Sequence, residues 1–305
     1  GFGPLLPGCD PVPFGDIGTL ERQLRDGDVA SLVIEPIQGK GVYLATDAYW
    51  SAVQDLCRRH GTLLVVDEVQ TGMGRTGRFF CHQHWGLEPD VITMSKALSG
   101  GYVPVGAVLT TTKVFEAVYS SMDRAVVHSS TFSKNQLAMV AGLATLQVLD
   151  DEDLTARAGR SGAQLTSALQ PLVDKYELLH EVRGKGLMIG LAFGTPESRG
   201  PRARYRMMEL ARKGLFSQTI VVPLFHRHRI LTQVAADNVN IIKLLPPLII
   251  GDEEIDAFVT ALDDVLGDAH KSSGLMVEVG ATMARNSLRR GRRRTTAAHG
   301  GTVRS

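Results

Sequence analysis

Apolar residues along most of the chain recur with either a helical or a strand period. Ile17, Leu20 and Leu24 share one face, so residues 16–25 predict a helix. Residues 47–60 predict a second, amphipathic helix, opened by Thr46 or Asp47 as cap and stopped at Gly61. Short apolar runs predict strands at 31–34, which ends on Glu35-Pro36, and at 62–66, 91–94 and 106–110. The run from Thr62 to Val66 has no polar alternation, the pattern of a strand buried on both faces of a parallel sheet. Helices are predicted over 135–149 and from 151 to about 175. Strands alternating with helices imply an α/β sheet covered on both faces.

Beyond Arg183 the texture changes. A strand at 186–193, a helix at 202–213, a strand at 241–245 and a last helix at 252–266 predict a small α+β domain. Residues 1–18, rich in Gly and Pro, are expected to be irregular, and 271–305, rich in Gly, Ser, Thr and Arg, to be a disordered basic tail. The expected organisation is therefore a partial large α/β domain over 1–152, a connecting helix and small domain over 153–270, and the tail.

Composition adds exclusions. At 305 residues, 44% hydrophobic and 21% charged, the chain is ordinary globular material, long enough for one or two domains. Its 33 basic and 32 acidic side chains leave a net charge of +1, so no global field points to nucleic acid or a membrane surface. The cluster Arg289-Arg290-Gly291-Arg292-Arg293-Arg294 is a local exception, but such runs are more often solvated tails than nucleic-acid sites. Cys9, Cys57 and Cys81 form no Cys-x-x-Cys pair, which fits a reducing, cytoplasmic setting. No apolar run approaches the roughly 18 residues that span a bilayer. The Gly-Phe-Gly-Pro start lacks an initiator Met, a basic region and an apolar core, so it is expected to be no signal peptide but the interior of something longer. Cys81-x-x-His84 and His226-x-His228 have no complementary pair at ligand spacing, and no metal is expected.

Three segments carry candidate chemistry. TLLVVDEVQTGMGRTG (62–77) puts Asp67 at the end of a buried strand, where open α/β sheets place ligands. DVITMSKALSGGYVPVG (90–106) puts Lys96 after another strand and before a Gly-Gly loop. HSSTFSKN (128–135) is a run of hydroxyl donors leading into a helix start, suited to a phosphate. Each alone has a plainer reading. A strand ending in Asp-Glu also occurs in P-loop ATPases, but this chain has no phosphate-binding loop of that type. A lone Lys is usually a solvated charge, and a Ser/Thr cluster before a helix is usually a cap.

Together, in this order and spacing, they resemble the class III aminotransferases, the group that includes ornithine, acetylornithine and 4-aminobutyrate aminotransferases. The resemblance runs from Glu35-Pro36-Ile37-Gln38-Gly39 through Asp67-Glu68-Val69-Gln70-Thr71-Gly72, Arg75-Thr76-Gly77, Lys96 and Thr131. It continues more weakly through Arg183-Gly184-Lys185-Gly186-Leu187 and Pro246-Pro247-Leu248, covering about residues 1–267. It implies the fold-type-I architecture of pyridoxal-phosphate enzymes and a homodimer. It also implies ping-pong transfer of an amino group from an amino acid or amine to an oxo acceptor. Lys96 is similar to the lysine that carries the cofactor and moves the substrate proton. Asp67 is similar to the carboxylate that keeps the pyridine nitrogen protonated. Val69 is expected on the ring face and Gln70 near the ring hydroxyl. Thr131, with Ser130, is expected to reach the phosphate of the neighbouring subunit. Glu35 is expected near the substrate entrance, its plainer reading being a turn carboxylate.

The sequence also departs from that family. The N-terminal part that supplies a phosphate loop and a stacking aromatic is missing, which reads as a fragment or a decayed remnant. Ornithine-type members have a Glu after the Gln-Gly turn and an Arg before Pro-Pro-Leu. Here those positions hold Lys40 and Lys243, and lysine cannot form arginine's bidentate fork on a carboxylate. An altered acceptor side is expected. Ser133-Lys134 stands where Gly-Gly is common. The competing functions are an aminomutase of the same superfamily and a non-catalytic binding or dimerisation module.

Overall fold

The computed structural model describes residues 3–271. Contacts divide the chain into two compact units. Unit one comprises Gly1–Ala163, Gly184–Met188 and Leu245–Ile249; unit two comprises Gln164–Arg183, Ile189–Leu244 and the stretch from Ile250 onward. The division lies inside a long helix, somewhat beyond the position expected from sequence. The basic tail expected at 271–305 lies, apart from Lys271, outside the described residues.

Unit one is built on a four-stranded sheet in the order β1 (Ser31–Ile34), β2 (Leu63–Asp67), β3 (Val91–Met94) and β4 (Ala107–Thr110). The first three strands are parallel and β4 runs antiparallel to β3, so the sheet is mixed and mostly parallel. Helix α1 (Ile17–Leu24) is capped by the Asp16 carboxylate, which accepts from the Thr19 amide at 2.9 Å. Helix α2 (Asp47–His60) is capped by Thr46 and ends on Gly61 in the left-handed region, φ 70°. Both helices turn apolar stripes onto the sheet. Leu20, Leu24, Trp50, Val53 and Leu56 form a core with Ile34, Leu64 and Val66.

Period-2 geometry puts Val33, Val65, Asp67, Thr93 and Val108 on the opposite face, since they meet across the ladder. That face is not covered as expected: Val33 is 66% and Val108 57% exposed. The helices α3 (Thr112–Val118) and α4 (Gln136–Asp151) follow, and α4 is apolar all round while leaving Leu137, Val140 and Leu143 exposed. No helix among the described residues is long and apolar enough to cross a membrane.

Helix α5 (Leu154–Lys175) then leads into unit two. There β5 (Leu179–Lys185), β6 (Met188–Phe193), β8 (Ile241–Leu244) and β7 (Gln233–Val234) lie in that order, with β6 and β7 both antiparallel to β8. Helices α6 (Arg199–Ala211), α7 (Gln218–His228) and α8 (Asp252–Lys271) complete it. Its core joins Leu165, Leu169, Ile189, Leu191, Ile242, Leu262 and Leu266.

Candidate active site

The C-terminal ends of β2 and β3 open into a cleft of about 1150 Å³ within unit one. Val69, Gln70, Gly72 and Met73 line it from the β2 side, and Ser95, Lys96 and the Gly100-Gly101 turn from the β3 side. Apolar residues of α4, among them Leu137 and Val148, form much of the rest. This is the position where an α/β sheet offers a ligand the ends of two parallel strands.

Lys96 opens a 3-10 turn, Lys96–Ser99, with its own backbone in the left-handed region at φ 47°. That conformation costs an L-residue roughly 1–2 kcal/mol, so the surroundings must impose it. They do so from both sides. The Ser95 hydroxyl donates to the Val105 carbonyl at 2.8 Å, and the Ser99 hydroxyl donates to the Val103 carbonyl while accepting from the Val103 amide. A buried Ser99 and Leu98 anchor the turn, and Lys96 itself is exposed. The amine is therefore presented from a fixed loop to the open cleft.

On the facing side, Asp67 is half-buried at the last position of β2. One of its oxygens accepts from the Val69 amide at 2.9 Å, closing the turn that sends Val69 and Gln70 into the cleft. Gly39 approaches this turn so closely that a Cβ on it would lie 2.5 Å from the Gln70 amide nitrogen and 2.9 Å from the Glu35 carboxylate. Glu35 accepts from the Gly39 amide at 2.7 Å, which places it beside Gln70. The next turn is pinned by Arg75, whose guanidinium donates to the carbonyls of Leu187 and Pro246. Burial pushes the Arg75 pKa down to about 10, which still leaves it charged at neutral pH.

Of the residues singled out from sequence, Val69, Gln70 and Lys96 thus line one cleft, with Asp67 holding the turn and Glu35 adjacent. Ser130 and Thr131 are exposed and lie outside the cleft lining of this chain. Lys40 is exposed just inside the Gln38–Tyr43 bridge. Lys243 is buried in β8, across from Gly190 on one side and Gln233 on the other. Sequence reasoning passed over Ser95, Ser99, Glu68 and His82, because what they do depends on partners brought in by folding. Among the described residues, no group of three or more His, Cys, Asp or Glu side chains could hold a metal ion.

The cofactor implied by the resemblance needs an amine, a flat apolar contact, a carboxylate and hydroxyl or amide donors. Lys96, Val69 and Gln70 line one opening, and the Asp67 carboxylate sits at the turn that carries the last two, so the residue types present fit that group. The family model described as aminotransferase class-III matches residues 15–266. The chain belongs to the class III aminotransferases. Within that family, it is 39% identical over 272 residues to the acetylornithine aminotransferase of Methanocaldococcus jannaschii, an alignment covering 89% of this chain and 61% of that protein. It is 36% identical over 295 residues to the aminotransferase PigE of a Serratia strain, covering 87% of this chain and 35% of that protein. Its fold matches the ornithine aminotransferase of Toxoplasma gondii with a TM-score of 0.74 at 32% identity, over 87% of this chain and 57% of that one. The ornithine δ-aminotransferase of Plasmodium falciparum gives 0.75 at 31% identity, over 88% and 64%. The chain spans less than two thirds of the length of these class III relatives.

Proposed function

We propose that the cleft binds pyridoxal 5'-phosphate and that the protein transfers an amino group from an amino acid or amine to an oxo acceptor by ping-pong turnover. The observation that carries this is Lys96, held in a left-handed turn at the mouth of a cleft whose other wall is the Asp67–Gln70 turn. Bound there, the cofactor supplies an electron-withdrawing ring that stabilises negative charge at the substrate carbon. Lys96 would hold it and, as a neutral amine, would be the base that moves the substrate proton. Asp67 would supply the carboxylate that keeps the ring nitrogen protonated. Val69 would supply the apolar contact and Gln70 an amide donor, a set that favours amino transfer over an aminomutase reaction.

The phosphate grip of Ser130 and Thr131 acts across a homodimer. Supporting this, both lie in an exposed segment with unsheltered apolar side chains, Phe132 at 81% and Val126 at 76% exposure. Lys40, exposed beside Gly39, shapes the acceptor side toward a larger acid, an amine or an aldehyde without an α-carboxylate, because a cation stands where ornithine-type members have a Glu. A cytoplasmic setting is supported by the thiols. Burial raises the pKa of Cys57 to about 11 and raises that of Cys81 as well, and neither is in a disulfide.

Borohydride reduction of the complete protein with pyridoxal phosphate, followed by peptide mass mapping, is expected to place the adduct on Lys96. An adduct found only on other lysines would remove the assignment. Gly39→Ala is expected to separate binding from stability. Its clashes are with the flexible ends of Gln70 and Glu35, so the melting temperature should move by less than about 4 °C. Cofactor affinity should fall roughly 3–10-fold, the scale of one displaced hydrogen bond. An unchanged cofactor titration would show that Gln70 plays no part.

A further inference from the structure

Directly behind the Asp67 turn lies a buried carboxylate that the chemistry above does not use. Glu68 is 1% exposed, and its neighbours Thr71 and His82 are also buried. Burying an ionised carboxylate is costly unless donors surround it. Here they do. The Thr71 hydroxyl donates to Oε2, and the His82 amide donates to Oε1 at 2.8 Å. The His82 ring meets the same Oε1 through Nδ1 at 3.0 Å, which makes Nδ1 the protonated ring nitrogen. The Gly72 amide also donates to the Glu68 carbonyl at 2.9 Å, and a Cβ on Gly72 would lie 2.9 Å from that carbonyl. Phe80 stacks on the far side of the His82 ring at 5.4 Å, fixing its plane.

We infer that Glu68 and His82 are a positioning pair that holds the 67–72 turn in the shape that presents Asp67, Val69 and Gln70. The inference rests on the cofactor reading above and extends it to residues that touch no ligand. The physical argument is one of convergence. Glu68 is the residue after Asp67, so its backbone continues β2, with its amide donating to the Thr93 carbonyl at 3.0 Å. Its side chain then ties Thr71, on the far side of the turn, and His82, on the following 3-10 segment Cys81–Trp85, to that same strand end. The Asp67 carboxylate–Val69 amide and Gly72 amide–Glu68 carbonyl contacts also close the turn, but neither ties it to Thr71 or to the Cys81–Trp85 segment. Glutamine at this position can keep the geometry: its oxygen can accept from both His82 donors while its amide donates to the Thr71 hydroxyl.

The test uses the complete protein and has one readout that needs no cofactor. Hydrogen exchange of the cofactor-free protein is expected to show Val69 and Gly72 amides losing protection about tenfold or more in Glu68→Ala, the scale of a lost hydrogen bond to a charged group. The β2 amides of Leu64 to Val66 should stay as in wild type, and Glu68→Gln should restore the turn. Pyridoxal phosphate dissociation constants should follow the same order, with Glu68→Ala weakened about tenfold. If Glu68→Ala does not fold, His82→Phe, which removes the ring donor, is expected to loosen the same amides. His82→Asn, which keeps a donor near Nδ1, should recover most of the protection. Wild-type protection of Val69 and Gly72 in Glu68→Ala or His82→Phe would overturn the inference, as would uniform loss through β2. Failure of the wild type to bind cofactor, with the turn still loosened by Glu68→Ala, would defeat the cofactor reading and leave the positioning role standing.

Discussion

Replacing Lys96 by alanine is expected to abolish the visible band that the complete protein develops with pyridoxal phosphate, and to lower amino transfer by at least about 10²–10⁴-fold. The loss should be so large because, among the described residues lining the cleft, Lys96 carries the one amine side chain. The loop is tied at Ser95 and Ser99, so the backbone cannot swing another side chain into place. Lys96→Arg should fail nearly as completely, since a guanidinium stays protonated and can neither attach nor act as a base. A companion measurement separates chemistry from folding. Lys96→Gly should unfold at higher urea than Lys96→Ala, by about 1 kcal/mol, because φ 47° strains alanine and not glycine. A band that persists in Lys96→Ala would end the assignment of this residue.

The second large effect is expected far from the amine. Gly186 has φ 52°, and a Cβ on it would lie 2.5 Å from the Thr76 carbonyl carbon and 2.8 Å from the Arg75 oxygen. On helix α5, a Cβ on Gly162 would lie 2.2 Å from the Gly186 carbonyl, while Gly77 and Gly159 face each other in the same layer. Three backbone segments thus meet without side chains between them, and one of them carries Arg75 beside the cleft. All the obstructing atoms are backbone and cannot rotate away. Gly186→Ala is expected to destabilise unit one by roughly 2–4 kcal/mol, from strain plus overpacking. Gly61→Ala provides the control: its φ is 70° but nothing lies within 4 Å, so only strain of about 1 kcal/mol applies. Equal urea midpoints for the two variants would show that the crowded junction relaxes freely.

Much of the fold was legible because unit one obeys simple patterns. The helix Asp47–His60 and the strands Ser31–Ile34 and Val91–Met94 fall on their expected bounds, since caps and apolar runs are local signals. Helix α7 was missed because Pro223 sits within it, and β5 because its residues Arg183, Gly184 and Lys185 carry no apolar alternation. The reversed direction of β4 could not be read, as a period of two is the same in either direction. The expected two-sided cover of the sheet was an overextension from the buried pattern of β2 to its neighbours. At the candidate site, motif order singled out Lys96, Val69 and Gln70, which the fold brings to one cleft. The Glu68–His82 pair and the Gly162–Gly186 approach are long-range contacts, and nothing in local spacing announces them.

The reach of Arg75 also bears on how the protein is made. Its guanidinium is held by the Pro246 carbonyl, 171 positions later, and residues 245–249 belong to unit one although the stretch just before them, Ile189–Leu244, belongs to unit two. At ribosomal speeds of about 5–20 residues per second, roughly 10–30 s separate the two partners at synthesis. Throughout that interval the nascent chain carries an incomplete cleft wall, since Leu245, Leu248 and Ile249 are still to come. A chain that stops before Pro246 therefore has Lys96 and the whole sheet of unit one, yet lacks the Pro246 acceptor that holds Arg75.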